Sequence, residues 1–229
     1  RRINRMIRVF IGYDDNESVA YHVLSHSILR HASQPVAITP VAKRHMQGFY
    51  SRERSTIEST DFSFTRFLVP YLSGYNGWSV FMDCDTLLTT DIAELFALRD
   101  EQFAVMCVKH DYVARDDIKF LGATQTKYEK KNWSSVMLFN NELCRALTPQ
   151  VVANETGLFL HQFKWLADES QIGALPPTWN YLVGEMTMPE TPKLIHFTLG
   201  GPYFASYREC EHADLWFAEQ ALMNHAAQG

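Results

Sequence analysis

Ser79-Val80-Phe81-Met82-Asp83-Cys84-Asp85 runs three apolar residues straight into two carboxylates separated by one position. An apolar run of this kind reads as a buried strand, and buried strands of α/β proteins present their chemistry at their carboxyl ends. Two acidic side chains there are costly to desolvate without a partner. A divalent cation removes that cost, and oxygen ligands suit Mg²⁺ or Mn²⁺. Asp83 and Asp85 are therefore expected to hold a metal that carries a phosphorylated substrate.

The surrounding chain fits an α/β protein. Ile7 to Ile11 reads as a first buried strand ending at Gly12-Tyr13-Asp14-Asp15, with Asp14, Asp15 or Asn16 able to cap the next helix. That helix is expected from about Ser18 to His31, with Ala20, Val23, Leu24, Ser27, Ile28 and His31 on one side. Gln34-Pro35 ends it, and Val36 to Val41 is a second strand. This strand–helix–strand opening suits a nucleotide-binding unit, but it lacks the G-x-G-x-x-G of a dinucleotide fold.

Further along, Lys43 to Ser59 reads as a polar mobile loop with Lys43, Arg44, Arg52 and Arg54, either a solvated face or a lid. Phe62 to Leu72 has helical period, with Phe64, Phe67, Leu68 and Tyr71 in line and Arg66 on another side. Asp91 caps a short helix through Phe96; Phe103 to Val108 and Ser135 to Phe139 are strands; Val151 to Leu166 has helical spacing. Arg115 to Lys131 reads as irregular, Leu175 to Asn180 as a stiff connector, Leu194 to Phe197 as a last strand, and Ala213 to His225 as a closing helix. No repeat divides the chain, and residues 1–229 are expected to form one domain, with residues 1–5 read as lying upstream of a natural start at Met6.

Composition narrows the function classes. With 26 acidic against 21 basic residues the net charge is −5, which gives no electrostatic case for nucleic acid. Cys84, Cys107, Cys144 and Cys210 have no paired-ligand spacing and read as free thiols of a reducing compartment. No apolar stretch is long enough for a transmembrane segment and no signal peptide is visible, so a cytoplasmic enzyme is the expectation.

His196, at the end of an apolar strand and followed by Gly200-Gly201-Pro202, is the candidate third ligand. An Asp/Asp/His set suits Mn²⁺ better than Mg²⁺. Two rival readings of the acidic pair are simple capping of the following turn and the D-x-D-x-[TV] nucleophile motif of a haloacid-dehalogenase-type phosphotransferase. The register opposes the second, because Thr86 comes one residue early and Leu87 holds the Thr/Val place.

Ser63-Phe64-Thr65-Arg66-Phe67-Leu68-Val69-Pro70-Tyr71-Leu72, then Trp78 to Asp85, then Asp91-Ile92-Ala93-Glu94-Leu95-Phe96, resembles the core of glycosyltransferase family 8, the glycogenin- and LgtC-like group. The resemblance extends from Ile7 to the glycine-rich segment after His196. It implies a GT-A fold, a single Rossmann-like mixed sheet flanked by helices, with Mn²⁺ (or Mg²⁺) as cofactor and a nucleotide-sugar donor, a UDP-sugar by family habit. It further implies transfer of a hexose to a carbohydrate or other hydroxyl acceptor with retention of configuration. By position, Asp83, Asp85 and His196 match the metal ligands and Arg66 the arginine beside the donor. Gly12, Tyr13 and Asp14 match the nucleoside-binding segment, and Gly200 and Gly201 the glycine-rich diphosphate segment. Trp133-Ser134-Ser135-Val136 falls on Asn-Ser-Gly-Val beside the donor sugar, and Asp168-Glu169-Ser170 on Asp-Gln-Asp, which makes Asp168 and Glu169 candidates for the cationic face of the sugar.

Three departures stand out. Trp133 replaces a sugar-binding amide, Glu169 replaces a glutamine, and Tyr203 follows the glycines without the diphosphate-binding lysine, a charge Lys109 is expected to supply. A non-catalytic nucleotide-sugar-binding module on the same fold is the alternative that the missing lysine leaves open.

Overall fold

Buried β-branched and aromatic residues lay down the first strand, β1 (Ile7–Tyr13), and its largely half-buried neighbour β2 (Val36–Ala42) is joined to it in parallel through α1 (Ser18–His31). The computed structural model describes residues 6–53, 60–110, 130–187 and 191–225. α1 buries Ala20, Val23, Leu24, Ser27 and Ile28, the face expected from spacing, while His31 is half-buried at its end. Asp14 caps the short 3-10 turn Asp15–Glu17 that leads into it, accepting from the Asn16 amide at 2.9 Å.

The chain then crosses to the other side of β1 and forms β3 (Trp78–Met82), buried along its whole length and parallel to β1. β5 (Val105–Cys107), β6 (Val136–Asn140) and β7 (Ile172–Ala174) complete a six-stranded sheet in the order β2-β1-β3-β6-β5-β7. β6 is antiparallel to β3 and β5, so the sheet is mixed. The reversal of strand order between β1 and β3 opens a crevice at their carboxyl ends, where α/β sheets bind ligands.

A second, three-stranded sheet, β4 (Thr86–Leu88), β9 (Leu194–His196) and β8 (Tyr181–Leu182) in that spatial order, stands beside the first. Sequence reading had not separated it from the main sheet. Its β4–β9 ladder pairs Thr86 with His196, and the Phe197 amide donates to the Asp85 carbonyl at 2.9 Å. It packs with α6 (Ala213–Met223) and Val23 of α1 in a small core around Trp216 and Phe197.

Two expected helices are broken. Over 62–72 a 3-10 turn (Thr65–Leu68) precedes one α-helical turn, α2 (Val69–Leu72), because Pro70 has no N–H to give the Arg66 carbonyl. Arg66 is buried there. Over 151–166 there are two helices, α4 (Pro149–Asn154), capped by Thr148, and α5 (Gly157–His161), capped by Thr156. Phe163 then takes a left-handed φ of 58°, and Leu158 is half exposed at 50%. Caps outweighed spacing. α3 (Ile92–Ala97) begins at Asp91 as expected.

The 43–53 segment is built into the fold rather than mobile: Met46 and Tyr50 are buried, and Arg52 donates to the carbonyls of Val152, Ala153 and Glu155 at the end of α4. Arg54, residues 115–129 of the stretch expected to be irregular (115–131) and residues 1–5 lie outside the described residues. Gly12, at the end of β1, lies flat against the Phe62 ring, where a Cβ would come within 2.4 Å. Gly12→Ala is expected to cost about 1–3 kcal/mol through overpacking; an unchanged urea midpoint would show that Phe62 yields freely.

Candidate active site

Three segments meet at the carboxyl end of β3. The Asp83 amide continues the sheet by donating to the Ser135 carbonyl at 2.9 Å, which fixes the turn that aims Asp83 and Asp85 into a cleft of about 1040 Å³. β9 brings His196 to the same point by pairing beside Thr86. Ligand atoms of Asp83, Asp85 and His196 all lie within 4.8 Å of one another, and His196 Nε2 is 3.3 Å from Asp85 Oδ1.

These residues fit a divalent cation. The Asp83 and Asp85 side chains are only 13% and 21% exposed, and the buried Oδ1 atom of each accepts no aligned hydrogen bond from the described residues. Buried acceptors are rarely left so. Burial, opposed by Arg66 and reinforced by Asp85, pushes the Asp83 carboxyl up to about 6. At His196 burial favours the neutral ring, but Asp85 and Asp83 outweigh it and raise the imidazole. Two crowded carboxylates and an imidazole form an oxygen–nitrogen donor set suited to a transition-metal dication.

Arg66 supports this centre from below. Its Nη1 is 2.9 Å from Asp83 Oδ1 and 3.0 Å from the Ser134 carbonyl, and its guanidinium lies near the Phe62 and Phe81 rings. Ser134 Oγ is 2.7 Å from His161 Nδ1. Burial, then Arg66, pushes His161 down to about 3, so its ring is neutral across the physiological range.

That shift has a stability consequence. A histidine whose folded value lies below its unfolded value of about 6.5 contributes stability that is complete above that pH and is lost as pH falls toward the folded value. Relative to His161→Gln, the wild-type protein is expected to lose on the order of 3 kcal/mol between about pH 6.5 and pH 3. Parallel urea midpoints for the two proteins across that window would contradict it.

Of the residues expected at the site, Asp83, Asp85, His196, Arg66, Ser134 and Gly200 line this cleft among the described residues. Gly201 sits behind its wall, where a Cβ would meet the Tyr203 ring at 2.1 Å. Asp14 does not face the cleft: its carboxylate is occupied by the Asn16 and Asp61 amides. Gly12 and Tyr13 also lie outside the lining, with Tyr13 against Tyr21 and Arg44.

Other expectations need correction. Trp133 packs against Phe163 and donates to the His110 carbonyl at 3.0 Å, so it is part of the framework. The preceding Asn132 lines the cleft instead, in a left-handed conformation (φ 63°) with a buried Nδ2 that has no partner among the described residues. Lys109 is exposed beside Trp133, while Lys130 and Lys131 line the cleft. Asp168 and Glu169 are exposed outside it, since Asp168 caps a 3-10 turn through the Ser170 amide and Glu169 pairs with Lys130. Sequence reading missed Glu17, which lines the cleft, accepts from Tyr203 Oη at 2.5 Å and is pushed up to about 7 by burial and by Asp85. A carboxylate that belongs to no motif carries no signal of its own.

The architecture is that of the GT-A glycosyltransferases. The fold is similar to that of the bifunctional glycosyltransferase WbbM in its apo form, with a TM-score of 0.65 and 16% identity over 96% of this chain and 50% of that one. It is similar to apo GlyE of Streptococcus pneumoniae TIGR4 (TM-score 0.63, 14% identity, 96% of this chain and 62% of that one). It also matches the galactosyltransferase LgtC in complex with donor and acceptor sugar analogues (TM-score 0.61, 12% identity, 97% and 98%). The chain thus spans about half the length of WbbM and 62% of GlyE. No family model matches the sequence. Protein CDI of Arabidopsis thaliana is 47% identical over 226 residues, covering 95% of this chain and 87% of that protein, and the chain belongs to the Protein CDI family.

Proposed function

We propose that this chain is a divalent-cation-dependent glycosyltransferase that moves a hexose from a nucleotide-diphosphate sugar to a hydroxyl acceptor. The observation that carries this reading is the convergence of Asp83, Asp85 and His196 within 4.8 Å, in the cleft at the strand-order reversal of a GT-A sheet. The imidazole favours Mn²⁺ over Mg²⁺. UDP as the nucleotide and retention of configuration follow the family resemblance, while a cytoplasmic setting rests on the unpaired cysteine spacing. Four free cysteines fit that setting, and no helix among the described residues is long and apolar enough to cross a membrane. Residues 1–229 are taken as one catalytic domain.

Asp83, Asp85 and His196 would hold the cation, which when bound supplies Lewis-acid stabilisation to a diphosphate leaving group. Arg66 holds the Asp83 carboxylate in place and adds positive charge on that side of the cleft. Lys130 and Lys131 offer cationic charge on the wall, and the glycine-rich segment there lacks the expected lysine. With Asp168 and Glu169 outside the lining, the sugar face has no carboxylate from that segment, and the leaving phosphate itself takes the acceptor's proton.

A thermal-shift screen of nucleoside diphosphates with and without Mn²⁺ tests this. UDP with Mn²⁺ at about a hundred times its dissociation constant should stabilise the protein by about 2.7 kcal/mol. Mn²⁺-dependent release of hexose from the matching donor, without acceptor, then separates an enzyme from a binding module. If no diphosphate stabilises the protein in Mn²⁺, the nucleotide-sugar reading fails.

A further inference from the structure

Asn180 is fully buried one residue before β8, touches none of the cleft's open volume, and its side chain hydrogen-bonds to three residues on two segments. The direction of each bond can be worked out from one fixed point, the Asn132 carbonyl, which only accepts. Ser135 Oγ donates to that carbonyl at 2.6 Å, so the hydroxyl proton is committed and Ser135 Oγ faces Asn180 as an acceptor. The Asn180 amide lies 2.9 Å from Ser135 Oγ and 3.2 Å from the same Asn132 carbonyl. Both are acceptors, so the amide nitrogen points at them and the amide oxygen points the other way. That oxygen is 2.9 Å from His196 Nδ1. Facing an atom that cannot donate, Nδ1 must carry the proton, since the opposite tautomer would set lone pair against lone pair in a dry interior. A neutral His196 therefore keeps its lone pair on Nε2, the nitrogen 3.3 Å from Asp85 Oδ1 and turned toward the two carboxylates.

From this chain of bonds we infer that Asn180 is a positioning residue, which fixes His196 in the one tautomer and ring orientation able to ligate a cation alongside Asp83 and Asp85. Metal-ligating histidines generally have their second nitrogen held in this way, and loss of such a partner lowers metal affinity by roughly 10–100-fold. The usual partner is a carboxylate, a backbone carbonyl or water. Here it is a side-chain amide whose own orientation is set by Ser135 and Asn132, so the cleft wall that contributes Ser134 and Asn132 also sets the ligand. The inference rests on the cation-site reading above, but the tautomer it assigns exists without any metal.

Two measurements on the full chain test it. The first is the ¹⁵N spectrum of the histidine rings without metal at about pH 9, above the ordinary imidazole range, with His196 assigned by comparison with His196→Gln. A protonated Nδ1 and a lone-pair Nε2 are expected, and a protonated Nε2 overturns the assignment whatever the metal does. The second is Mn²⁺ titration calorimetry on variants that retain a cooperative thermal melt. Asn180→Ala should bind Mn²⁺ roughly 10–100-fold more weakly than wild type, whereas Asn180→Asp, which can still accept from Nδ1, should stay within about 3-fold. Equal affinity in wild type and Asn180→Ala overturns the positioning role, as does an equal loss in both variants. Should wild type bind no Mn²⁺ while its Nδ1 is protonated, the cation-site reading fails and the tautomer assignment survives.

Discussion

Asp85→Asn is expected to lower metal-dependent transfer by at least about 10²-fold while leaving the metal-free protein as stable as wild type or more stable. The two effects have one cause. Asp83 and Asp85 crowd two carboxylates into a site where each has a buried oxygen without an aligned donor among the described residues. Asp85 helps to push Asp83 up to about 6, after burial itself. A carboxyl whose folded value lies above its unfolded value of about 3.9 costs stability as pH rises through the window between the two. The metal-free wild type should therefore lose stability from about pH 4 to about pH 6, and Asp85→Asn should reduce that loss. Added Mn²⁺ should reverse the order, stabilising wild type far more than the variant. Melting curves at pH 5 and 8, with and without Mn²⁺, read all of this; a variant less stable than wild type in chelator at pH 8 would mean the carboxylates are not in conflict.

Arg66→Met is expected to destabilise the protein by about 3–5 kcal/mol at pH 8 and by much less near pH 5. Arg66 is 7% exposed and is the strongest influence opposing the burial of Asp83, and its guanidinium also serves the Ser134 carbonyl. Removing it leaves an unpaired buried carboxylate, whose folded value must climb further. Below about pH 6 Asp83 can take a proton in either protein, and above it only the variant continues to lose stability, so the difference opens as pH rises. Urea midpoints at several pH values would show this. A pH-independent deficit would instead assign the loss to packing against Phe62 and Phe81.

What could be read from the chain was whatever rests on local pattern. The apolar run before Asp83, the face of α1 and the Asp91 cap are short-range features, and the structure has them in place. The helices over 62–72 and 151–166 failed because single residues, Pro70, Thr148 and Thr156, overrode a spacing that averages over many. Matching residues to a motif by position also missed the shift at Asn132, which lines the cleft in a left-handed conformation, while Trp133, the motif-aligned residue, packs against the core. Asn180 could not have been found from the sequence at all. Its importance lies in which atoms its amide faces, and these belong to residues 45 and 16 positions away.

The ladder between β4 and β9 also dictates when the site comes into being. Thr86 and His196 are paired across more than a hundred intervening residues, and closing so long a loop is among the slower events available to a folding chain. During synthesis both aspartates and every strand of the main sheet leave the ribosome before His196 does. A chain halted at that stage would own two of the three proposed ligands and none of β9. If the proposed cation site holds, tight Mn²⁺ capture would report that β9 has docked, which would make the cation a stopped-flow probe for that step.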